Sequence, residues 1–394
     1  MPSENDGLRD LHARIGYRMK ILVLNAGSSS LKYALYETSP EAAAADSDQL
    51  LGEGLIERVT SMSDALKTAF TELAPALGGE TVTGVGHRIV HGGTFPGSVI
   101  IDAGVEHAID ELSALAPLHN PHNLAAYRAA REHLPNAIHV AVFDTAFHQT
   151  LPQHAYAYAM PPEYLAEKKI RRYGFHGISH RSVSLRFAKI KGKRPEDFRL
   201  VICHLGNGCS VCAVDGGRSI DTSMGFTPLE GLVMGTRSGD VDASALLHLI
   251  VREGEDPAAL LHTLNNASGL QAVSGVSNDM RDVLSAADSG NERARLAIDT
   301  FCYRAKKFIG AYIAAMNGAD ALVFTAGIGE HSAPIRAGIC EGLDRLGIAV
   351  DPALNGAASQ EARCIGSSSI SVWVIPTEEQ LMIARDTLAC VHPN

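Results

Sequence analysis

The chain has 394 residues, of which 46% are apolar and 20% are charged, and its formal net charge is −10. This length favours two or three domains around large cores. The negative charge and the lack of a basic block argue against nucleic acid or an anionic membrane surface as a partner. Since no run of about 18 to 20 apolar residues occurs, no membrane span is predicted.

The N-terminus and the cysteines predict a cytoplasmic location. Residues 1–18 lack the apolar core of a secretory signal, and we predict that they form a flexible extension before a natural start at Met19. Seven cysteines, an odd number, are scattered through the chain, as in proteins of a reducing compartment.

The first predicted elements form a hairpin. An apolar run, Ile21 to Leu24, ends in Asn25 and is followed by Gly27 and three serines. The next segment, Leu31 to Tyr36, is short and rich in strand-forming residues, which predicts strand, tight turn, strand. A P-loop is strand, turn, helix, so this hairpin is not one. We expect phosphate to bind here through backbone N–H groups and hydroxyls at the hairpin tip.

The middle of the chain predicts alternating helices and strands, with a second glycine-bearing hairpin. Helical periodicity covers residues 105–116 and 122–134, and a buried strand covers 137–144 and ends in Asp144. A strand from Leu200 to Cys203 then meets the turn Gly206–Gly208, and a further strand follows. Two similar hairpins, one in each half, predict two related domains that hold a ligand from both sides.

The last third of the chain predicts a long helix from Ala294, and a strand from Ala321 to Thr325 that ends in a glycine-rich turn. A final strand and helix follow. Thr377 is predicted to cap that helix in a capping box with Gln380, which places Glu378 and Glu379 in its first turn.

Two further patterns have structural as well as metal-binding interpretations. Cys209-x-x-Cys212 lies in an alternating segment without a second pair, so we interpret it as two small strand residues rather than a metal or redox site. The spacing H-x-x-x-H occurs in two places, but both lie near glycines and lack the H-E-x-x-H pattern, which disfavours zinc.

Six segments resemble the signature segments of the acetate kinase family: NAGSSSLK, FDTAFHQT, RRYGFHGISH, HLGNG, MGFTPLEGLVMGTRSGD and FTAGIGE, in family order. The resemblance implies an α/β fold with two duplicated ribonuclease-H-like (actin-like ATPase) domains and an interdomain cleft. It implies an N-terminal domain of residues 19–150 and 382–394, and a C-terminal domain of residues 151–381 with the nucleotide site and the interface of a homodimer. The implied reaction is the reversible, magnesium-dependent, in-line transfer of the γ-phosphoryl group of ATP to acetate, which gives acetyl phosphate and ADP.

The resemblance also implies the catalytic residues. Arg88 and Arg237 match the arginines that bind the acetate carboxylate and offset negative charge in the transition state, which suits the planar, permanently charged guanidinium. His176 resembles the histidine that contacts the transferring phosphoryl group. Asp144 matches an essential aspartate; since acetate is already ionised at pH 7, we expect it to order magnesium-bound water or an arginine, or to cap the segment that follows.

For the metal, Asn25 and Glu379 carry the family pattern, with Mg²⁺ expected and Mn²⁺ as a substitute. Residues 377–380 read TEEQ where the family usually has TNEE. Aligned without a gap, Glu379 falls on the metal carboxylate, but a shift by one position would give Glu378 instead. The residues that the resemblance assigns to ATP and ADP lie in four segments: Ser28, Ser30 and Lys32; His204, Leu205, Gly206, Asn207 and Gly208; Asp279, Met280 and Arg281; and Gly327, Ile328, Gly329, Glu330 and His331. His331 replaces the usual asparagine, so nucleotide preference stays open.

The resemblance assigns the acyl pocket to four apolar residues, Val90, Leu118, Phe175 and Pro228. An extra methylene in such a pocket is worth only about 1–3 kcal/mol. A propionate or butyrate kinase of the same family is therefore an alternative. An actin-like nucleotide-binding module with slow ATP hydrolysis is a second alternative, of a different class.

Overall fold

The computed structural model describes residues 18–27 and 29–392. The described chain divides into two compact units. The first comprises the residues up to Ala146 together with those from Glu379 onward, and the second is Phe147–Glu378. The predicted N-terminal extension, residues 1–18, lies outside the described residues except for Arg18.

Apolar strands form the sheet of the first unit. Its six strands in the described chain are β1 (Met19–Ala26), β2 (Ser30–Thr38), β3 (Gln49–Glu57), β4 (Gly84–Ile89), β5 (Val99–Ile100) and β6 (Ile138–Phe143), in the order β3-β2-β1-β4-β6-β5. β1 pairs antiparallel with β2 and parallel with β4, and β4 pairs parallel with β6. Parallel strands put their carboxyl ends at one edge of the sheet, where ligands bind in open α/β sheets.

Helices with apolar faces pack on this sheet. They are α1 (Pro40–Ala44), α2 (Met62–Leu77), α3 (Ala103–Glu111), α4 (Asn120–His133) and, from the end of the chain, Glu379–Val391. A 3₁₀ turn (Leu112–Ala114) replaces the last turn of the helix predicted for residues 105–116. One core cluster joins Leu22, Leu24 and Tyr33 of the sheet to Leu66 and Leu73 of α2.

The sheet of the second unit also has six strands in the described chain. They are β7 (Arg199–Leu205), β8 (Cys209–Asp215), β9 (Arg218–Thr222), β10 (Ala321–Thr325), β11 (Arg363–Ser367) and β12 (Ser371–Val374), in the order β11-β12-β10-β7-β8-β9. β7 pairs antiparallel with β8 and parallel with β10, which pairs parallel with β12.

The helices of the second unit are α5 (Gln153–Tyr156), α6 (Pro162–Ala166), α7 (Gly177–Ile190), α8 (Ala243–Val251), α9 (Pro257–Asn266), α10 (Gly269–Ser274), α11 (Met280–Asp288), α12 (Glu292–Ala315), α13 (Ala326–His331), α14 (Ala333–Cys340) and α15 (Pro352–Gly356). The helix Glu379–Val391 of the first unit is α16. Short 3₁₀ turns cover Ala146–Thr150, Pro195–Asp197 and Asp344–Leu346.

The two sheets have the same connectivity. In each, the first three strands along the chain pair antiparallel. A fourth strand pairs parallel with the first, and the last strand pairs parallel with the fourth. The strand between these two in the chain pairs antiparallel with the last one and forms the edge. The predicted duplicated α/β architecture is confirmed, and so are both glycine-bearing hairpins, β1–β2 and β7–β8.

Two local predictions are wrong. Thr377 does not cap α16: the helix begins at Glu379, and the buried Thr377 hydroxyl and Gln380 amide nitrogen have no hydrogen-bond partner within the described chain. The segment after β10 was predicted as a glycine-rich turn but is the short helix α13. Its Glu330 carboxylate accepts hydrogen bonds from the Ala326 and Thr377 N–H groups at 2.8 and 3.3 Å. Glu378 therefore precedes the first turn of α16.

Among the described residues, the helices are all too short or too polar to cross a bilayer.

Candidate active site

Arg88 and Asp144 form the centre of the site in the first unit. Arg88 lies in β4, and Asp144 directly follows β6, its parallel neighbour. The Arg88 Nε and Nη2 atoms donate to the two carboxylate oxygens of Asp144 at 3.0 and 2.7 Å. Asp144 is only 1% exposed, and a bidentate guanidinium is the partner that best offsets the cost of burying a carboxylate.

Two more polar side chains converge on Arg88. Its Nη1 atom donates to Asn25 Oδ1 at 3.4 Å and lies 3.9 Å from Glu379 Oε2. Burial lowers the pKa of Arg88, but the charges of Asp144 and Glu379 outweigh burial, and the net pKa is raised. One guanidinium and two carboxylates leave this cluster with a formal charge of −1.

The donor set of this cluster fits a hard cation. Mg²⁺ prefers oxygen ligands, keeps several of its waters and needs only one or two carboxylates. The Asn25 amide oxygen and the Glu379 carboxylate supply such ligands, and the cluster to which they belong has a net negative charge. Within the described residues, no group of three or more His, Cys, Asp or Glu side chains is arranged as a metal site.

Glu378, the neighbouring candidate for the metal carboxylate, has a different environment. Its Oε1 atom lies 2.8 Å from Arg186 Nη1, in the second unit, and its side chain is 45% exposed. Glu379 is thus the carboxylate that lies near Arg88, the side chain that also bonds Asn25.

The predicted phosphate hairpin is tight. Gly27 N–H donates to Ser30 O at 2.8 Å across the turn. Lys32 lies directly opposite Asn25 in the register of β1 and β2, and its side chain is exposed. Cross-strand partners share a face of the sheet, so Lys32 is on the same face as the predicted metal ligand. Ser28, also predicted to bind phosphate, lies outside the described residues.

Asn123, which the sequence analysis missed, fixes the ends of β1 and β4. It is buried on α4; its Nδ2 donates to Ala26 O at 2.8 Å, and its Oδ1 accepts from Val90 N–H at 3.1 Å. A single side chain therefore holds the backbone one residue after Asn25 and two residues after Arg88. A polar residue on the apolar face of a predicted helix was the sequence feature that could have revealed it.

His176 centres the site in the second unit, where it precedes α7. Its backbone is left-handed, with φ 57°, which costs a residue with a Cβ about 1–2 kcal/mol. Its Nδ1 atom is 2.9 Å from Ser210 Oγ, and its ring stacks on that of His204 with centroids 4.1 Å apart. Non-glycine residues in this conformation are concentrated at functional sites.

Arg237 lies beside the predicted phosphate turn of β7–β8. Its Nη1 atom donates to Pro228 O at 2.6 Å, and no carboxylate in the described part of the chain forms an ion pair with it. Burial lowers its pKa. A Cβ built on Gly208 would lie 2.7 Å from Arg237 Nη2 and 3.4 Å from His176 Nε2, so glycine lets both donors approach the turn.

The last two predicted nucleotide segments lie at the start of α11 and along the short helix α13. Asp279 caps α11 and pairs with the exposed Arg281, while Met280 is buried. In α13, Gly327 and His331 are exposed and Ile328 is half-buried, whereas the Glu330 carboxylate bonds the backbone around it. The buried Arg336 donates to Gly329 O and Glu330 O, both at 2.9 Å, and so holds the end of α13.

The four predicted acyl-pocket residues divide between the units. In the first unit, Val90 is half-buried and Leu118 is 43% exposed. In the second, Pro228 is half-buried next to Arg237, and Phe175 is 1% exposed and directly precedes His176. Cys209 and Cys212 are buried in β8, the strand to which they were assigned.

Comparison with known proteins agrees with these features. The model of the "Acetokinase family" matches residues 20–385. The acetate kinase of Thermotoga maritima is 48% identical over 399 residues, a match that covers 95% of this chain and 99% of the relative. The acetate kinase of Moorella thermoacetica is 46% identical over 403 residues, a match that covers 95% of this chain and 100% of the relative.

A solved structure agrees as well. The crystal structure of Porphyromonas gingivalis acetate kinase superposes with a TM-score of 0.86 at 40% identity, covering 95% of this chain and 100% of that one. The whole-length family match and these identities leave one conclusion: the chain belongs to the acetokinase family.

Proposed function

We propose that this chain is a phosphotransferase that moves the γ-phosphoryl group of ATP to acetate, reversibly and directly, giving acetyl phosphate and ADP. Besides the family match, the observation that carries the proposal is Arg237. It is a half-buried guanidinium without a carboxylate partner in the described chain, and it lies beside a glycine turn and His176. Such a charge is suited to a phosphoryl group or a carboxylate.

The chemistry requires two anions to meet. Acetate is ionised at pH 7 and needs no strong base, so the barrier is the repulsion between its carboxylate and the γ-phosphate. Arg88 and Arg237 bind acetate and offset this charge, and His176 donates to the phosphoryl oxygens. Asp144 orients Arg88 through the bidentate pair.

The proposed reaction also needs a divalent metal ion. Asn25 and Glu379 would hold Mg²⁺, directly or through water, and Mn²⁺ would substitute for it. The bound ion supplies charge neutralisation to the phosphates. The nucleotide would contact Ser28, Ser30 and Lys32, the segment His204–Gly208, the segment Asp279–Arg281 and the segment Gly327–His331.

Trapping of acyl phosphate with hydroxylamine tests the reaction. Purified protein is incubated with ATP, Mg²⁺ and acetate, and acetyl hydroxamate is measured. We expect product that depends on acetate, ATP and metal. Phosphate release in water without hydroxamate would instead identify a slow ATPase and overturn the proposal.

The same assay ranks the acceptors. A propionate kinase of Francisella tularensis subsp. tularensis SCHU S4 superposes with a TM-score of 0.86 at 40% identity, covering 94% of this chain and 99% of that one, so propionate and butyrate are tested beside acetate. We expect the highest kcat/KM for acetate, with propionate about 10- to 200-fold lower, the range that one extra methylene produces. A preference for propionate would change the named substrate but not the reaction.

We also propose that the protein acts in the cytoplasm as a homodimer, through the second unit. Leu247 and Val251 of α8 are 59% and 71% exposed, and Leu261 of α9 and Tyr303 of α12 are 53% and 60% exposed. We infer that these exposed apolar side chains belong to one patch that a second copy of the chain covers. Sedimentation of L247E/V251E should show a monomer, whereas L346E, a control at another exposed leucine, should sediment as the dimer does.

A further inference from the structure

Ser210 lies between two histidines of the second unit. It is fully buried in β8, with its Oγ atom 2.9 Å from His176 Nδ1 and 2.8 Å from His180 Nε2. A serine hydroxyl has one proton to donate and can accept two hydrogen bonds. The two histidine nitrogens are the only hydrogen-bond partners of Ser210 Oγ in the described chain, so accepting from both would leave the buried hydroxyl proton without an acceptor. Ser210 therefore donates to one histidine and accepts from the other, and the protonation of one ring determines that of the other.

His180 decides between the two arrangements. Its ring is buried, and its Nδ1 atom has no hydrogen-bond partner in the described chain. Burial also lowers its pKa well below the ordinary value, so the ring is neutral. If Ser210 donated to His180, the single ring proton of His180 would lie on Nδ1, as a buried N–H group without an acceptor, which is rare in folded proteins.

The opposite arrangement removes this cost. With the proton on His180 Nε2, that group donates to Ser210, and the Ser210 hydroxyl donates to His176 Nδ1. The proton of a neutral His176 is then on Nε2. Both rings adopt the tautomer with the proton on Nε2, which is the one that free histidine prefers.

We propose that Ser210 and His180 are positioning residues that hold His176 in the Nε2–H tautomer. The inference rests on the proposed function, in which His176 contacts the transferring phosphoryl group. His176 Nε2 lies on the side of the ring that faces Gly208, beside Arg237 Nη2. In this tautomer it presents an N–H donor there, whereas the other tautomer would present a lone pair and repel a phosphoryl oxygen.

Nitrogen NMR measures the tautomer without relying on activity. Protein labelled with ¹⁵N-histidine is compared with its H176Q variant, which assigns the His176 signals. Protonated and bare imidazole nitrogens have well-separated ¹⁵N shifts, so we expect a bare Nδ1 and a protonated Nε2 in the wild type. A protonated Nδ1 at His176 would overturn the proposal, whether or not the protein forms acetyl phosphate.

Kinetics test the consequence with a matched control. S210A removes the donor to His176, whereas S219A removes an equally buried hydroxyl that lies 2.8 Å from His148 Nδ1 in the same unit. We expect S210A to lower kcat about 10- to 100-fold, the effect typical of losing a supporting hydrogen bond, with little change in the KM for acetate. S219A should retain kcat within about 3-fold.

His180 supplies a second pair of variants. H180Q keeps an N–H group that can donate to Ser210, and H180M removes it. We expect H180Q to retain more turnover than H180M and to keep the His176 tautomer. If S210A and H180M left both the His176 ¹⁵N shifts and kcat unchanged, the relay through Ser210 would be wrong, while hydroxamate formation by the wild type would still support the proposed function.

Discussion

The two units have the same strand order but opposite electrostatics at corresponding hairpins. At the end of β1 and β4 in the first unit, Arg88 is matched by two carboxylates, Asp144 and Glu379, and the cluster has a formal charge of −1. Beside β7–β8 in the second unit, Arg237 donates only to a carbonyl among the described residues, Pro228 O. The first arrangement is suited to a cation and the second to an anion.

The comparison shows how a duplicated fold can acquire different roles. The backbone topology places a glycine-bearing turn at the same point of each sheet, and side chains outside the hairpins decide which charge is bound there. Asp144 directly follows β6 and Glu379 begins α16, whereas Arg237 lies in the loop before α8. Phosphoryl transfer from ATP needs both kinds of site, because the metal and the phosphates must be held.

The largest expected effect is on turnover. R88A and R237A should each lower kcat by at least ~10²-fold, the loss that follows removal of a transition-state donor. Steady-state rates of hydroxamate formation measure this. Near-normal turnover in both variants would refute the roles of the arginines.

Substitution of the same two arginines should have different effects on the free energy of unfolding. R88M removes the bidentate partner of a carboxylate that stays buried, so we expect the free energy of unfolding to fall by about 3–5 kcal/mol. R237M removes a half-buried charge without leaving an unpaired carboxylate, and should be neutral or stabilising. Urea unfolding measures both, and R88M/D144N should recover part of the loss; equal destabilisation by R88M and R237M would contradict the electrostatic difference.

Acid should destabilise the second unit through His148. Burial lowers the pKa of this ring to about 4 from 6.5. Between these values the unfolded chain binds a proton that the folded chain does not, so stability falls as the pH falls from about 6.5 to 4, by about 3 kcal/mol. H148Q can still donate to Phe175 O and should reduce this dependence in urea unfolding at pH 7, 5.5 and 4; an unchanged slope would show that His148 titrates normally.

A smaller effect should identify the metal carboxylate. E379Q should weaken Mg²⁺ binding about 10-fold, measured by the concentration that gives half-maximal rate and by the rise of Tm with Mg²⁺. E378Q is the control, because Glu378 pairs with Arg186 instead. If E378Q had the larger effect, the assignment would have to move by one position.

Local sequence patterns predicted the architecture well because the strands are continuous apolar runs. Both hairpins, the buried strand before Asp144 and the long helix α12 followed from periodicity and turn residues. The local errors lie in two segments that Glu330 connects. Its carboxylate accepts a hydrogen bond from Ala326 N–H within the short helix α13 and one from Thr377 N–H, 47 residues further along the chain. The second contact is tertiary, and no local sequence signal reveals it.

The sequence by itself determined the element order, the duplicated hairpins and the candidate site residues, because strand formers, glycines and the signature segments are local features. Only the tertiary structure decided which of those residues meet. It paired Arg88 with Asp144 and left Arg237 without a carboxylate partner in the described chain. It also placed Ser210 between His176 and His180, and Asn123 between β1 and β4. Such pairings depend on groups that are far apart in the chain, and burial makes their hydrogen bonds and charges matter.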